Sequence, residues 1–160
     1  MMDTGKISLR PVTDADNAVL LDIYASTRAQ ELAMAPWSAE QKNAFVKMQF
    51  EAQTQHYKTE HPQANHDLIC VAGVPAGRLY VDRQTERLHI LDITMLPQHR
   101  NAGIGSFVLR QILEEAAKSG RPVTIYVETF NPSVRLFERL GFQRDQETGL
   151  HFLMKWSAAR

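Results

Sequence analysis

The residues best suited to chemistry lie in one stretch, Leu88 to Gly105, which reads LHILDITMLPQHRNAGIG. An apolar, strand-like run enters Pro97. Arg100, Gly103 and Gly105 follow, and then a segment with helical periodicity. This is the arrangement of an anion cradle. The first N–H groups of a helix lack intrahelical acceptors, and the helix dipole adds positive potential where they point. Glycines at 103 and 105 let a diphosphate approach the backbone with no Cβ in the way. Arg100 adds a charge-assisted donor. The same glycines also serve a plain strand-to-helix turn. A dinucleotide-binding fingerprint is excluded, because Val108 stands where a third small residue is needed. No Gly-Lys-Ser/Thr run exists for a nucleoside-triphosphate loop.

Titratable groups around this stretch are the candidates for proton transfer. Asp92 sits among Ile90, Leu91 and Ile93. Apolar surroundings raise a carboxyl pKa and suit a base acting through water; a solvent-facing or hydrogen-bonded strand residue is the equal alternative. Glu128 ends the next strand-like run and is the second candidate. His89 falls on the face opposite Asp92 if the strand is regular. Cys70, the one cysteine, reads as a buried strand residue. His56, His61 and His66 recur every five residues, which turns them apart on a helix, so no metal site is expected.

The rest of the chain must position these groups. Ile7 to Pro11 alternates as a first strand. Thr13 with Asp16 forms a capping box for a helix carrying Val19, Leu20, Ile23 and Tyr24, expected to end before Pro36. Ser38 and Gln41 cap a second helix, with Phe45, Val46, Met48, Phe50 and Tyr57, stopped by Pro62. Asp67–Val74, Gly77–Asp82 and Arg87–Met95 read as strands. Gly103 to Ser119 is helical, ending at Gly120 with Pro122 beyond. Val123–Val127 is a buried-type strand. Asn131 and Pro132 open a helix through Val134, Phe137 and Leu140. Phe142–Arg144 and Leu150–Trp156 close the chain around a Gln146–Gly149 turn. That makes seven strands and four helices.

Composition sets outer limits. The chain has 160 residues, 44% hydrophobic and 22% charged, enough for one globular domain over residues 1–160. Eighteen Lys and Arg balance eighteen Asp and Glu, which argues against a nucleic-acid footprint. One cysteine permits no internal disulfide and suits a reducing cytoplasm. Met1 to Arg10 lacks the apolar core of a signal peptide, and no apolar run reaches membrane-spanning length.

Two segments together carry a family resemblance. Gln98-His99-Arg100-Asn101-Ala102-Gly103-Ile104-Gly105 resembles the pyrophosphate-binding signature of the GNAT acetyltransferase superfamily, R/Q-x-x-G-x-G/A. Asn131-Pro132-Ser133-Val134-Arg135-Leu136-Phe137-Glu138-Arg139-Leu140-Gly141-Phe142 resembles its second signature, N-x-x-A-x-x-L-Y-x-x-x-G-F. They stand in the right order, one helix and one strand apart. The resemblance implies an α+β, three-layer fold with a mixed, mostly antiparallel sheet of about seven strands flanked by four helices. A splayed strand pair in it would hold the coenzyme. It implies acetyl-CoA as acyl donor and transfer of the acetyl group to a primary amine by direct attack on the thioester. Pantetheine would then lie along Ile93, Thr94 and Met95. The diphosphate would lie on Arg100, Asn101, Ala102, Gly103, Ile104, Gly105 and Ser106, and Asn131 would contact the coenzyme. The backbone N–H of Met95 would stabilise the oxyanion.

Two positions depart from the pattern: Val134 replaces the usual alanine, and Phe137 stands where many members carry a tyrosine that protonates the leaving thiolate. Water or Tyr126 are the substitutes. A coenzyme-binding sensor on the same fold is the alternative reading. The acceptor, a small amine or a peptide, is expected between the 31–37 loop, the second helix and the terminal hairpin. Met34, Trp37, Met48 and Phe50 are candidate walls, and Glu31 and Glu40 candidate attractors. Homodimers are frequent in the family.

Overall fold

The computed structural model describes residues 4–158; the first three residues of the N-terminal reading and the last two of the 1–160 domain lie outside it. Seven strands form one sheet: β1 (Ile7–Pro11), β2 (Asn65–Val71), β3 (Val74–Arg83), β4 (Leu88–Met95), β5 (Val123–Glu128), β6 (Gln143–Thr148) and β7 (His151–Trp156). Their order is β1-β2-β3-β4-β5-β7-β6, antiparallel throughout except for the parallel pair β4–β5. The helices are α1 (Asn17–Ser26), α2 (Ala29–Ala33), α3 (Ala39–Glu60), α4 (Ile104–Ser119) and α5 (Ser133–Arg139).

The sheet separates two cores. Leu20, Ile23 and Tyr24 of α1 and Val46 and Phe50 of α3 pack on Leu68 and Cys70. On the other face α4 lays Ile104, Val108, Leu109, Ile112, Leu113 and Ala116 against Leu79, Val81, Ile90, Ile125 and Val127, and α5 adds Val134 and Phe137. Burying the five large aliphatics of α4 contributes roughly 10 kcal/mol before entropy is subtracted. The two-strands-then-crossover geometry that makes β4–β5 parallel needs such a helix on one face.

Three expectations are corrected. The first helix is two, so five helices flank the sheet. The Ser26 and Thr27 hydroxyls bond back to the Ile23 and Tyr24 carbonyls at 2.7 and 2.6 Å, an alternative to continued helix. The hairpin between β2 and β3 turns at Ala72 and Gly73, both at positive φ (52° and 81°), so β3 starts at Val74 instead of Gly77. This is the backbone that two-residue hairpins demand. At the C-terminal end β6 runs on to Thr148 and only Gly149 and Leu150 turn, with a bulge between Arg144 and Gln146. All six residues of β6 are exposed, so no alternation marked the strand.

Among the described residues no helix is long and apolar enough to cross a membrane, and no cluster of three or more His, Cys, Asp or Glu can hold a metal.

Candidate active site

Strands β4 and β5 share only three rungs, Leu88↔Val123, His89↔Thr124 and Ile90↔Ile125. Beyond Ile90 they diverge. The divergence begins at a bulge: Tyr80 opposes Asp92 and Val81 opposes Ile90, leaving Leu91 extra on β4. Bulges bend the strand that carries the added residue. A cavity of about 170 Å³ fills the resulting fork, lined by Leu91, Asp92, Ile93, Met95, Gly105, Leu109, Ile125, Val127, Asn131, Ser133, Leu136 and Phe137.

The backbone of β4 is phased toward this fork. The Leu96 N–H donates to the Ala76 carbonyl on β3 at 2.8 Å, so in an antiparallel ladder Thr94 also spends its backbone groups on β3. Ile93 and Met95 lie between these rungs, and their N–H groups turn to the fork. Thr94 is directed elsewhere: its hydroxyl donates to the Asp92 carboxylate at 2.9 Å.

The loop beyond β4 meets the fork from its open end. Asn101 (φ 60°) and Gly103 (φ 80°) are both left-handed. Gly103 sits at the N-cap of α4, where its lack of a Cβ removes the steric cost, and it leaves the cap without a side chain. No hydrogen bond among the described residues uses the backbone N–H of any residue from Asn101 to Ser106. A Cβ placed on Gly105 would meet nothing within 4 Å, so the space above the loop is open. A row of free N–H groups at the start of a sixteen-residue helix fits a diphosphate, and the narrow fork beside it fits a slender chain. Arg100 is partly committed: its Nε donates to the Met95 carbonyl at 3.0 Å and its NH2 to the Ser26 hydroxyl at 3.2 Å. It therefore ties the end of β4 to the end of α1.

On the α1/α3 face the two candidate carboxylates differ. Asp92 accepts from Arg78 Nε at 2.6 Å. Arg78 is buried and gives a second bond, from NH2, to Gln53 Oε1 at 2.7 Å. Asp92 is thus the anionic half of a buried ion pair. Glu128, at the end of β5, is half-buried and has no ion pair or side-chain hydrogen bond among the described residues. Because Val123, Ile125 and Val127 face α4, Thr124, Tyr126 and Glu128 alternate onto the α1/α3 face with Asp92.

His89 also shares that face, contrary to the regular-strand expectation, because the Leu91 bulge resets the alternation: His89 opposes Asp82 and Asp92 opposes Tyr80. His89 Nδ1 lies 2.8 Å from Thr124 Oγ1. Burial, reinforced by Arg87, pushes the imidazole down to about 4, so it is neutral at pH 7. Tyr57, read from sequence only as helix core, donates its hydroxyl to the Leu91 carbonyl at 3.1 Å. Burial, and after it the Asp92 charge, push that hydroxyl up to about 12, which keeps it a donor.

The fork also receives Asn131, just before α5, and Ser133 and Phe137 from α5. Asn131 Oδ1 accepts from the Ser133 N–H at 2.9 Å, so it is a helix cap as well as a lining residue. Phe137 is buried edge-on against Phe142. Tyr126 stands on the opposite face, edge-on to His89. Ala102 in the loop and Ser106 in the first turn of α4 do not line the fork cavity. A larger open hollow of about 490 Å³ lies around Phe130, Arg135, Glu138 and Arg144, but no residue of β4 or of the 100–106 loop lines it.

Of the acceptor-side residues, Phe50 is core and Met34 and Met48 are exposed; Trp37 packs edge-on to Phe45. Sequence reasoning missed Arg78, Tyr57 and Leu91. A strand arginine carries no mark of depth, and the Leu91 bulge has no residue signature in the stretch LHILDITM.

Comparison with known proteins agrees with this architecture. The model of the acetyltransferase (GNAT) family matches residues 26–142. The PaiA N-acetyltransferase of Thermoplasma acidophilum, solved with coenzyme A, is 14% identical and superposes with a TM-score of 0.73, over 95% of this chain and 99% of that one. A GCN5-related N-acetyltransferase from Rhodopseudomonas palustris is 18% identical, with a TM-score of 0.70 over 99% of each chain. Naa50 of Arabidopsis thaliana, in complex with the bisubstrate analogue CoA-Ac-MVNAL, is 16% identical, with a TM-score of 0.64 over 96% of this chain and 99% of that one. No protein of curated function matches the sequence.

Proposed function

The chain belongs to the acetyltransferase (GNAT) family, and from that premise we propose that it moves an acetyl group from acetyl-CoA to a primary amine by direct attack on the thioester. The observation that carries this reading is the run of unpartnered N–H groups from Asn101 to Ser106 beside the β4–β5 fork. Those amides, with the uncommitted donors of Arg100, would hold the diphosphate. Ile93 and Met95 would pair their fork-facing N–H groups with the pantetheine arm and the acetyl oxygen, Met95 being the oxyanion donor. Asn131 would reach the coenzyme with its amide nitrogen, since its oxygen is spent on Ser133.

For the base, the surroundings favour Glu128 over Asp92. The Asp92 oxygens already accept from the Arg78 guanidinium and the Thr94 hydroxyl, whereas Glu128 has no ion pair or side-chain hydrogen bond among the described residues. Residues 1–160 are read as a single such domain, and the lone buried Cys70 suits a reducing cytoplasm. A second reading, a coenzyme-binding module with little turnover, rests on Phe137, which brings a ring without a proton to the fork.

Calorimetry with acetyl-CoA tests the first claim: wild type binds, and Gly103→Trp does not, because a side chain at φ 80° would fill the cradle. Thioester consumption with pooled amines, amino acids and peptides tests the second. Glu128→Gln is expected to lower the rate on the order of 100-fold and to remove the acid limb of its pH profile. Coenzyme binding without consumption of any acceptor would favour the module. Failure of folded wild type to bind acetyl-CoA would end both readings.

A further inference from the structure

Arg28, just after α1, and Glu128, at the end of β5 on the α1/α3 face, carry opposite charges and form no ion pair with each other among the described residues. Arg28 follows α1, at the point where Arg100 reaches across to Ser26, so the α1–α2 junction straps the open end of the fork. The Arg28 Nε donates to the Tyr24 hydroxyl at 3.3 Å, and its guanidinium lies 5.4 Å from the Tyr24 ring centre. Tyr24 itself is buried and packs against Phe50. The guanidinium is therefore anchored through Nε, which leaves its terminal NH1/NH2 edge outward. Among the described residues only Glu31 touches that edge, at 3.4 Å from NH1 and with 64% of its side chain exposed. Such a contact is worth little.

The terminal edge of an anchored guanidinium matches a carboxylate bidentately. Burial pulls the Arg28 pKa down, but Tyr24, Glu31 and, least of these, the nearby charge of Glu128 push it up, and the net direction is upward. No ion pair joins the two side chains among the described residues.

An anchored cation with an unpaired carboxylate near it is the complement of a zwitterion. Resting on the acyltransferase reading above, we propose that the acceptor is a compact amino acid, its carboxylate held by Arg28 and its ammonium by Glu128. Glu128 takes one proton from the ammonium. The amine nitrogen then bonds to the acetyl carbon, the carbon–sulfur bond breaks, and the coenzyme leaves as thiolate. The nitrogen sheds its second proton, which the thiolate takes up. The products are an N-acetyl amino acid and coenzyme A, with no oxidant or further reactant required.

The test compares free L-amino acids, pooled by side-chain class, with their matching carboxamides. Both sets are assayed as acceptors by release of coenzyme thiol, and as ligands of the protein–CoA complex by calorimetry. Free acids are expected to be preferred by about tenfold or more in both. Arg28→Gln is expected to erase the preference while acetyl-CoA affinity and melting temperature stay at wild-type values. Equal use of the carboxamides overturns the inference and leaves acyl transfer standing. An Arg28→Gln protein that keeps the preference, or a protein–CoA complex that binds neither set, overturns it too. If folded wild type binds no acetyl-CoA, the acyltransferase reading falls first and the acceptor assignment falls with it.

Discussion

Replacing Asp92 by asparagine separates a catalytic carboxylate from a structural one. In the fold Asp92 faces Arg78 at 2.6 Å, and the arginine side chain is 2% exposed against 24% for the aspartate. Asp92→Asn removes the counter-charge and leaves a guanidinium in a nearly dry layer between α3 and the sheet. Breaking one side of a buried pair costs about 3–5 kcal/mol. Gln53 still accepts one Arg78 bond, so the low end, about 3 kcal/mol, is expected. Arg78→Met should cost less, about 2 kcal/mol. Asp92 keeps the Thr94 hydroxyl and partial access to water, although Gln53 loses its donor. The double variant, with no stranded charge, should be no worse than Arg78→Met alone. The coupling is then about 3 kcal/mol in favour of the pair.

Urea unfolding with an unchanged m-value measures all four corners of the cycle. In a chain of this size the Asp92→Asn loss corresponds to a melting temperature lower by roughly 6–12 °C. An Asp92→Asn protein within about 0.5 kcal/mol of wild type, or additive single losses, would refute the reasoning. Asp92 would then be a free carboxylate and would return as the leading base.

Stability should also fall in mild acid. Burial holds His66 and His89 at about 4 in the fold, against about 6.5 in an unfolded chain. The unfolded state therefore binds more protons between those values, so stability rises with pH across that window and is lost as pH falls from about 6.5 toward 4. Each histidine accounts for up to about 3 kcal/mol, and His89→Gln should flatten the urea midpoint curve measured between those limits. A flat wild-type curve there would contradict the buried, neutral assignment. Gly77→Ala should strain the fork from behind, because the new Cβ would collide with the Thr94 carbonyl oxygen and the Met95 sulfur. A loss of about 1–3 kcal/mol together with weaker acetyl-CoA binding is expected; unchanged binding would show that the end of β4 tolerates displacement.

The elements that local rules govern were legible in the sequence. Ser38 and Gln41 form the capping box as spaced, with bonds of 2.9 and 3.1 Å, and Gly103 takes the left-handed conformation at the start of α4. The paired signatures, 28 residues apart between Gly103 and Asn131, could be placed because loop and cap chemistry is carried by a few residue types. The site's electrostatics were not legible. Asp92 and Glu128 gave the same signal, a carboxylate in or beside an apolar strand. Two facts outside local pattern distinguish them: the depth of Arg78 on the neighbouring strand, and the Leu91 bulge that turns Asp92 toward it.

Without that bulge, strict alternation would carry Asp92 to the α4 side with Ile90, and Arg78 would be left unpaired beneath α3. One added residue in β4 thus opens the fork and supplies the counter-ion for the buried arginine. Because that pair is satisfied within the fold, the carboxylate left without an ion pair among the described residues is the one on the other prong, Glu128, and this is why it is the base proposed above.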